Sequence, residues 1–233
     1  MALAGLIVGL GNPGPEYANT RHNLGVILMD SLLDDIQRRG RVERLSSTKN
    51  PYILHRGTLP GGDSWLFLQP LTYMNRSGQA VQPVAAYYKL HPESILVLHD
   101  ELDLPLGRMK MKRGGGNAGH NGLKSIEQHL GTADFSRMRL GIGKPAGYDT
   151  SSFVLGNLSA LERETLNAMF PTALESVFLH MRHEEKDAQR LCNGFKLPEP
   201  APEKVPEKAP GKALPDGKVP KGKLPEEKLP DGK

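Results

Sequence analysis

Apolar residues change their spacing repeatedly along this chain, and each change marks an element. Leu3 to Leu10 is a short apolar run that ends in Gly and Pro, which predicts a buried strand. A polar loop from Gly11 to Arg21 follows. Val26, Leu28, Met29, Leu32, Leu33 and Ile36 then recur at helical spacing, predicting a helix over Asn23 to Arg39. Pro51 to Thr58 and Ser64 to Gln69 read as strands around a turn at Pro60-Gly61-Gly62. Gly78 to Leu90 reads as a helix in which Pro83 is tolerable only near the first turn. Ser94 to His99 is a second buried strand. Arg108 to Arg113 alternates Met with Lys, as a half-exposed strand does. Gly119 to Leu130 reads as a helix behind a glycine-rich loop, and Arg137 to Gly143 alternates again. Ser159 to Gln189 reads as a long helical region, interrupted or restarted near Pro171.

Strands alternating with helices predict an α/β fold, a single globular domain with a twisted mixed sheet flanked by helices. The half-exposed Met/Lys and Arg/Met/Arg strands point to antiparallel edges. The pattern stops near Lys196. From Leu197 to Lys233 the chain holds nine of the 19 prolines, no aromatic residue, and a loose repeat of LPDGK at Leu214 and Leu229. Such a segment cannot bury enough apolar surface to offset its ordering entropy. The expected division is therefore a folded domain over Met1 to Lys196 and a disordered tail over Leu197 to Lys233.

Charge changes this picture little. The tail's eight Lys and seven acidic residues leave about +3 of the net +4 on the folded part, compatible with a nucleic-acid partner without requiring one. Lys110, Lys112 and Arg113 cluster, as do Arg137 and Arg139. The single cysteine, Cys192, excludes an internal disulfide framework and a cysteine metal site. The N-terminus does not read as a secretory leader, and apolar runs fall well short of the roughly 18 residues that span a bilayer. A cytoplasmic protein with no membrane contact is expected.

Candidate chemistry sits in the loops. Gly9-Leu-Gly11-Asn-Pro-Gly14 matches the dinucleotide fingerprint G-x-G-x-x-G after a strand, but that motif needs its third glycine inside a helix. Pro13 and Pro15 flank Gly14, and the helical pattern starts only near Asn23, so a loop presenting Asn12, Tyr17, Arg21, His22 and Asn23 is the better reading. His22 stands just before a helix, where the N-terminus opposes protonation of an imidazole; it is either a base or a cap. His99-Asp100-Glu101-Leu102-Asp103 follows a buried strand, and three readings stand: metal ligands, an aspartate that orients a histidine, or a polar turn. Gly114-Gly115-Gly116 leads to His120 and Asn121 at a helix start, which suits close approach of backbone to a ligand. Asn75, in Tyr73-Met74-Asn75, is an N-cap or a substrate-binding amide. No G-x-S-x-G elbow is present. His180 and His183 lack a third ligand nearby and read as surface histidines.

Four segments, GLGNPGPEYANTRHNLG at Gly9 to Gly25, LTYMNRSG at Leu71 to Gly78, LVLHDELDLPLG at Leu96 to Gly107 and GGGNAGHNGLKSI at Gly114 to Ile126, occur in the order that resembles the bacterial peptidyl-tRNA hydrolase family. The resemblance spans Leu3 to Phe195, and the tail departs from it. It implies a monomer, without metal or cofactor, that cleaves the ester between peptide and tRNA in prematurely released peptidyl-tRNA and so recycles tRNA. It implies His22 as general base, Asp100 as its orienter, and Asn12 as the residue that helps separate peptidyl from aminoacyl esters. By the same resemblance Tyr17, Tyr73, Asn75 and Asn121 contact substrate, Met74 and His120 line the cleft, and Lys112 and Arg139 hold tRNA phosphates. The alternatives are an inactive RNA-binding module and a small-molecule esterase. The first should lack the base and its orienter, and both are present.

Overall fold

The structure is a computed structural model that describes residues 2–144, 147 and 149–197. The tail read at 197–233 therefore lies, but for Leu197, outside the described residues.

Seven strands form one mixed sheet. In chain order the elements are β1 (Leu3–Gly9), α1 (Leu24–Arg39), β2 (Arg41–Arg44), β3 (Tyr52–Thr58), β4 (Ser64–Pro70), α2 (Ser77–Tyr87), β5 (Ile95–Glu101), β6 (Met109–Arg113), α3 (Asn121–Leu130), β7 (Ser136–Gly141), α4 (Thr150–Val154), α5 (Ala160–Met181) and α6 (Glu185–Gly194). The strand order is β2-β3-β4-β1-β5-β7-β6. β4, β1, β5 and β7 run parallel, while β2, β3 and β6 make antiparallel pairs at the two edges. The mixed sheet with antiparallel edges is as the sequence predicts.

The alternation of side chains along each strand divides the core in two. Ile7, Leu96, Leu98, Met138 and Leu140 face α1, α5 and α6. Leu6, Val8, Ile95 and Val97 face α2 and α3, against Val81, Val84, Leu123 and Ile126. The central strands are buried on both faces, which is why β1 and β5 read as unbroken apolar runs. Burying a side chain such as Leu28, Leu32 or Ile36 completely contributes about 2 kcal/mol each.

Several expectations need correction. α5 passes through Pro171 unbroken and ends at Met181, and the helical region restarts instead at Glu185 as α6. Pro83 lies in the second turn of α2 rather than the first. Both prolines are on exposed faces, and so are Gln79 and Asn167 four residues earlier, so water can solvate the carbonyls that lose a partner. β2 and α4 are additions; β2 is a four-residue edge strand with no apolar alternation to announce it. His180 is buried, not on the surface. Its ring lies 5.6 Å from that of Trp65, and burial lowers its affinity for a proton.

The approach of α1 to the sheet positions the site. A Cβ on Gly25 would lie 2.2 Å from the Leu98 carbonyl oxygen and 2.7 Å from the Leu10 nitrogen. A Cβ on Gly9 would meet Gly25 and Met29 below 3.0 Å. Only hydrogen at both positions lets the first turn of α1 rest on the C-terminal ends of β1 and β5. There the Val26 N–H, an unpaired donor of that turn, bonds the Leu10 carbonyl at 3.2 Å.

Candidate active site

The motifs converge at the C-terminal edge of the sheet, around a cleft of about 620 Å³. Asn12, His22, Tyr73, Met74, Asn75, Asp100, Glu101, His120 and Asn121 all line it. β5 extends through Glu101, so His99, Asp100 and Glu101 belong to the strand end and not to a turn.

Asp100 is the centre of the arrangement. It is 2% exposed, and its Oδ1 is 2.9 Å from His22 Nδ1 and 3.1 Å from His120 Nε2. Burial works against the carboxylate, but the charges and hydrogen bonds of the two imidazoles outweigh it and hold Asp100 well below the usual carboxylate range. His22 occupies a 3₁₀ turn, Arg21–Asn23, that leads into α1. Thr20 and Asn23 hold the capping positions, so His22 caps neither segment. With Nδ1 engaged by Asp100, Nε2 is the nitrogen left for a ligand.

His120 is the N-cap of α3. Its Nδ1 lies 3.2 Å from the Gly122 N–H and 3.4 Å from the Leu123 N–H. An accepting Nδ1 leaves the proton of the neutral ring on Nε2, which donates to Asp100. His99 packs edge-on against His120 at 5.0 Å. Burial, then the neighbouring His120, pushes His99 down to about 3, so it stays neutral.

His22, Asp100 and His120 bring their ligand atoms within 4.8 Å of one another, the one group of its kind among the described residues. The bonding pattern favours protons over a cation. Nε2 of His120 is a donor by virtue of the helix amides on Nδ1, and both imidazoles share one carboxylate oxygen.

The Asn12 loop is held by amides. Asn12 N–H donates to Asn23 Oδ1 at 2.8 Å, Asn23 Nδ2 donates to the Asn12 carbonyl at 2.9 Å, and Met74 N–H donates to Asn12 Oδ1 at 2.8 Å. Asn12 Nδ2 remains to face a ligand. Asn75 is not a cap, because Tyr73 and Arg76 occupy the capping positions. It is exposed at the cleft. Tyr17 lies outside the lining and meets Tyr73 edge-on at 6.5 Å. The glycine-rich loop turns through positive φ at Gly114, Gly115, Ala118 and Gly119. Arg137 anchors it by donating to the Gly116 carbonyl at 2.8 Å.

Lys112 and Arg139 are not in the cleft. They stand on β6 and β7, and burial, then the Arg139 charge, lowers the proton affinity of Lys112. Arg139 Nε donates to Glu101 Oε2 at 2.8 Å, which ties this basic patch to the strand end beside Asp100. Sequence reasoning missed a further part of the lining, made by Lys144, Asp149, Thr150, Ser151, Val154 and Leu155. Asp149, which caps α4 by accepting from the Ser152 N–H, was its one local signal. Arg21 fastens α4 and α5 to the loop, with Nε 2.6 Å from Glu162 Oε1 and Nη1 3.1 Å from the Phe153 carbonyl.

The sequence and the fold both match known proteins. The sequence profile described as peptidyl-tRNA hydrolase matches residues 6–200. A peptidyl-tRNA hydrolase of Nitratidesulfovibrio vulgaris is 51% identical over 200 residues, covering 84% of this chain and 99% of its own. One of Oleidesulfovibrio alaskensis is 53% identical over 180 residues, covering 76% and 90%. The crystal structure of peptidyl-tRNA hydrolase from Acinetobacter baumannii superposes with a TM-score of 0.77 at 38% identity, covering 85% of this chain and all of that one.

Proposed function

The chain belongs to the peptidyl-tRNA hydrolase family, and on that premise we propose that its cleft cleaves the ester between peptide and tRNA with a water activated by His22. One observation carries the reading: the 2.9 Å bond from His22 Nδ1 to the buried carboxylate of Asp100, which leaves Nε2 for the cleft.

In this mechanism Nε2 of His22 takes a proton from water as the water oxygen forms a bond to the ester carbonyl carbon. Asp100 keeps the proton on Nδ1 and stabilises the imidazolium that forms. The carbonyl oxygen gains charge, and the Nδ2 of Asn12, whose Oδ1 is already used by Met74, is the donor available to it. On collapse the carbon–oxygen bond to the ribose breaks, and His22 returns the proton to the leaving oxygen. An ester has a better leaving group than an amide, so no covalent intermediate is required. Asn75 and Asn121 offer amides to the peptide, and Tyr17 and Tyr73 offer ring surface at the rim. Lys112 and Arg139 meet tRNA phosphates without reading sequence. No helix among the described residues is long and apolar enough to cross a membrane. The reading takes the enzyme to be a cytoplasmic monomer that needs no metal.

The test is release of a labelled N-blocked peptide from its tRNA, with EDTA present and His22→Ala alongside. Cleavage that tolerates EDTA and is lost in the variant supports the reading. Cleavage lost with EDTA would return Asp100, Glu101 and Asp103 to the role of metal ligands, and turnover retained in His22→Ala would remove it as the base.

A further inference from the structure

Asp100 presents a single oxygen to two imidazoles, and only one of them has a part in the mechanism above. His120 is engaged at both ring nitrogens. Its Nδ1 faces the Gly122 and Leu123 N–H groups at 3.2 and 3.4 Å, so protonation there would set a donor against donors at the positive end of a helix. That nitrogen accepts, which leaves the Nε2 hydrogen aimed at Asp100 Oδ1 at 3.1 Å. The charge that Asp100 offers to His22 is shared with this fixed donor.

We propose that His120 is a positioning residue: by donating a second hydrogen bond to the Asp100 oxygen that holds His22, it limits how strongly the aspartate retains a proton on His22. The proposal rests on the reading of His22 as the base. Removing the donor concentrates the carboxylate charge on His22, favours its protonated form, and moves its titration to higher pH.

Other groups around the cleft are already engaged. Glu101 accepts from Arg139 and from the Asp103 N–H. Arg21 pairs with Glu162, and Asp149 caps α4. His99, packed edge-on against His120, stays neutral. Asp103 and Lys144 line the cleft as well and are common to every variant below.

Two substitutions separate the two jobs of the ring. His120→Asn keeps a good N-cap for α3 but is too short to reach Asp100. His120→Gln places an amide N–H where Nε2 was and gives up the cap. The His22 imidazole is followed by NMR titration in the free protein, and kcat against pH is measured with peptidyl-tRNA. In His120→Asn the midpoint of His22 should rise by about half to one pH unit, with the acid limb of kcat moving alongside and turnover on that limb falling about three- to tenfold. KM should stay within twofold of wild type. In His120→Gln the midpoint should remain at the wild-type position even where the melting temperature falls. An unmoved midpoint in His120→Asn overturns the proposal, and so does an equal shift in both variants. A midpoint that moves while the rate profile does not would support the coupling and overturn His22 as the base.

Discussion

Asn12 and Asn23 are bonded to each other in both directions, main chain to side chain, across eleven residues of loop. The Asn23 amide thereby takes the place of a strand partner for the backbone of Asn12, and Thr20 Oγ1 adds a long contact to Asn23 Oδ1 at 3.5 Å. The loop between β1 and α1 carries both Asn12 and His22, so this pair sets their separation.

Asn23→Ala should therefore cost about 2–4 kcal/mol, because a buried N–H and a buried carbonyl both lose their partner. Activity should fall with stability, since Asn12 is released. Asn23→Asp keeps the acceptor and loses the donor, and should fall between wild type and Ala. Urea denaturation of the three proteins checks the order, and an alanine variant as stable as wild type would show that the loop is held by other contacts.

Asn12→Asp should fold normally, since Oδ1 still accepts from Met74 N–H. It replaces the only free donor of that side chain with negative charge, where the mechanism develops an oxyanion. The expected result is a fall in kcat of about a hundredfold or more with the melting temperature nearly unchanged. Wild-type kcat in this variant would remove Asn12 from the oxyanion site.

Arg139→Ala should raise KM and leave kcat within a few-fold. The plot of log(kcat/KM) against log salt should become shallower by about one phosphate contact. An unchanged slope would mean that Arg139 serves Glu101 alone, as the 2.8 Å bond allows.

Acid should weaken the fold through His99. In the unfolded chain this imidazole takes up a proton as pH falls through about 6.5, whereas in the fold burial holds it neutral down to about 3. The unfolded state binds more protons across that window, so stability is greatest above it and falls as pH drops towards 3, by up to about 1.4 kcal/mol per pH unit from this group. Denaturation midpoints between pH 7 and pH 4 should fall less steeply for His99→Gln than for wild type. Parallel slopes would exclude His99 as the source.

Gly25→Ala tests how α1 is seated. A methyl group 2.2 Å from the Leu98 carbonyl has no flexible neighbour to push aside. The helix start must lift, at a cost of about 3 kcal/mol, and His22 must move away from Asp100. Both the melting temperature and kcat should drop. A variant that loses stability but retains full turnover would show that the seating of α1 does not fix His22.

Legibility in the sequence followed the range of the forces involved. The apolar runs of β1 and β5, the 3.6-residue spacing of α1 and the glycines before α3 are local patterns, and they announced the α/β class, the mixed sheet, the strand that ends at Asp100 and the loops that lead to Asn12, His22 and His120. The four ordered motifs added the family and the roles of those residues by resemblance. Local patterns failed where long-range packing decides. Pro171 reads as a helix break because it removes a backbone donor, but α5 continues since the cost falls on a solvated face and the helix's other face is packed in the core. His180 reads as surface because no third ligand lies near it and His183, yet it is buried with its ring against Trp65.

Which groups touch is a matter of tertiary packing. Nothing in the spacing of His22, Asp100 and His120 along the chain requires two imidazoles to meet one carboxylate oxygen. That contact follows from β1 and β5 lying side by side, from Gly9 and Gly25 letting α1 rest on their ends, and from the helix amides of α3 fixing the ring of His120. A hydrogen bond depends on tenths of an ångström between atoms that are remote in sequence, and those distances are set by the packing of the whole sheet and its helices rather than by any residue's neighbours in the chain.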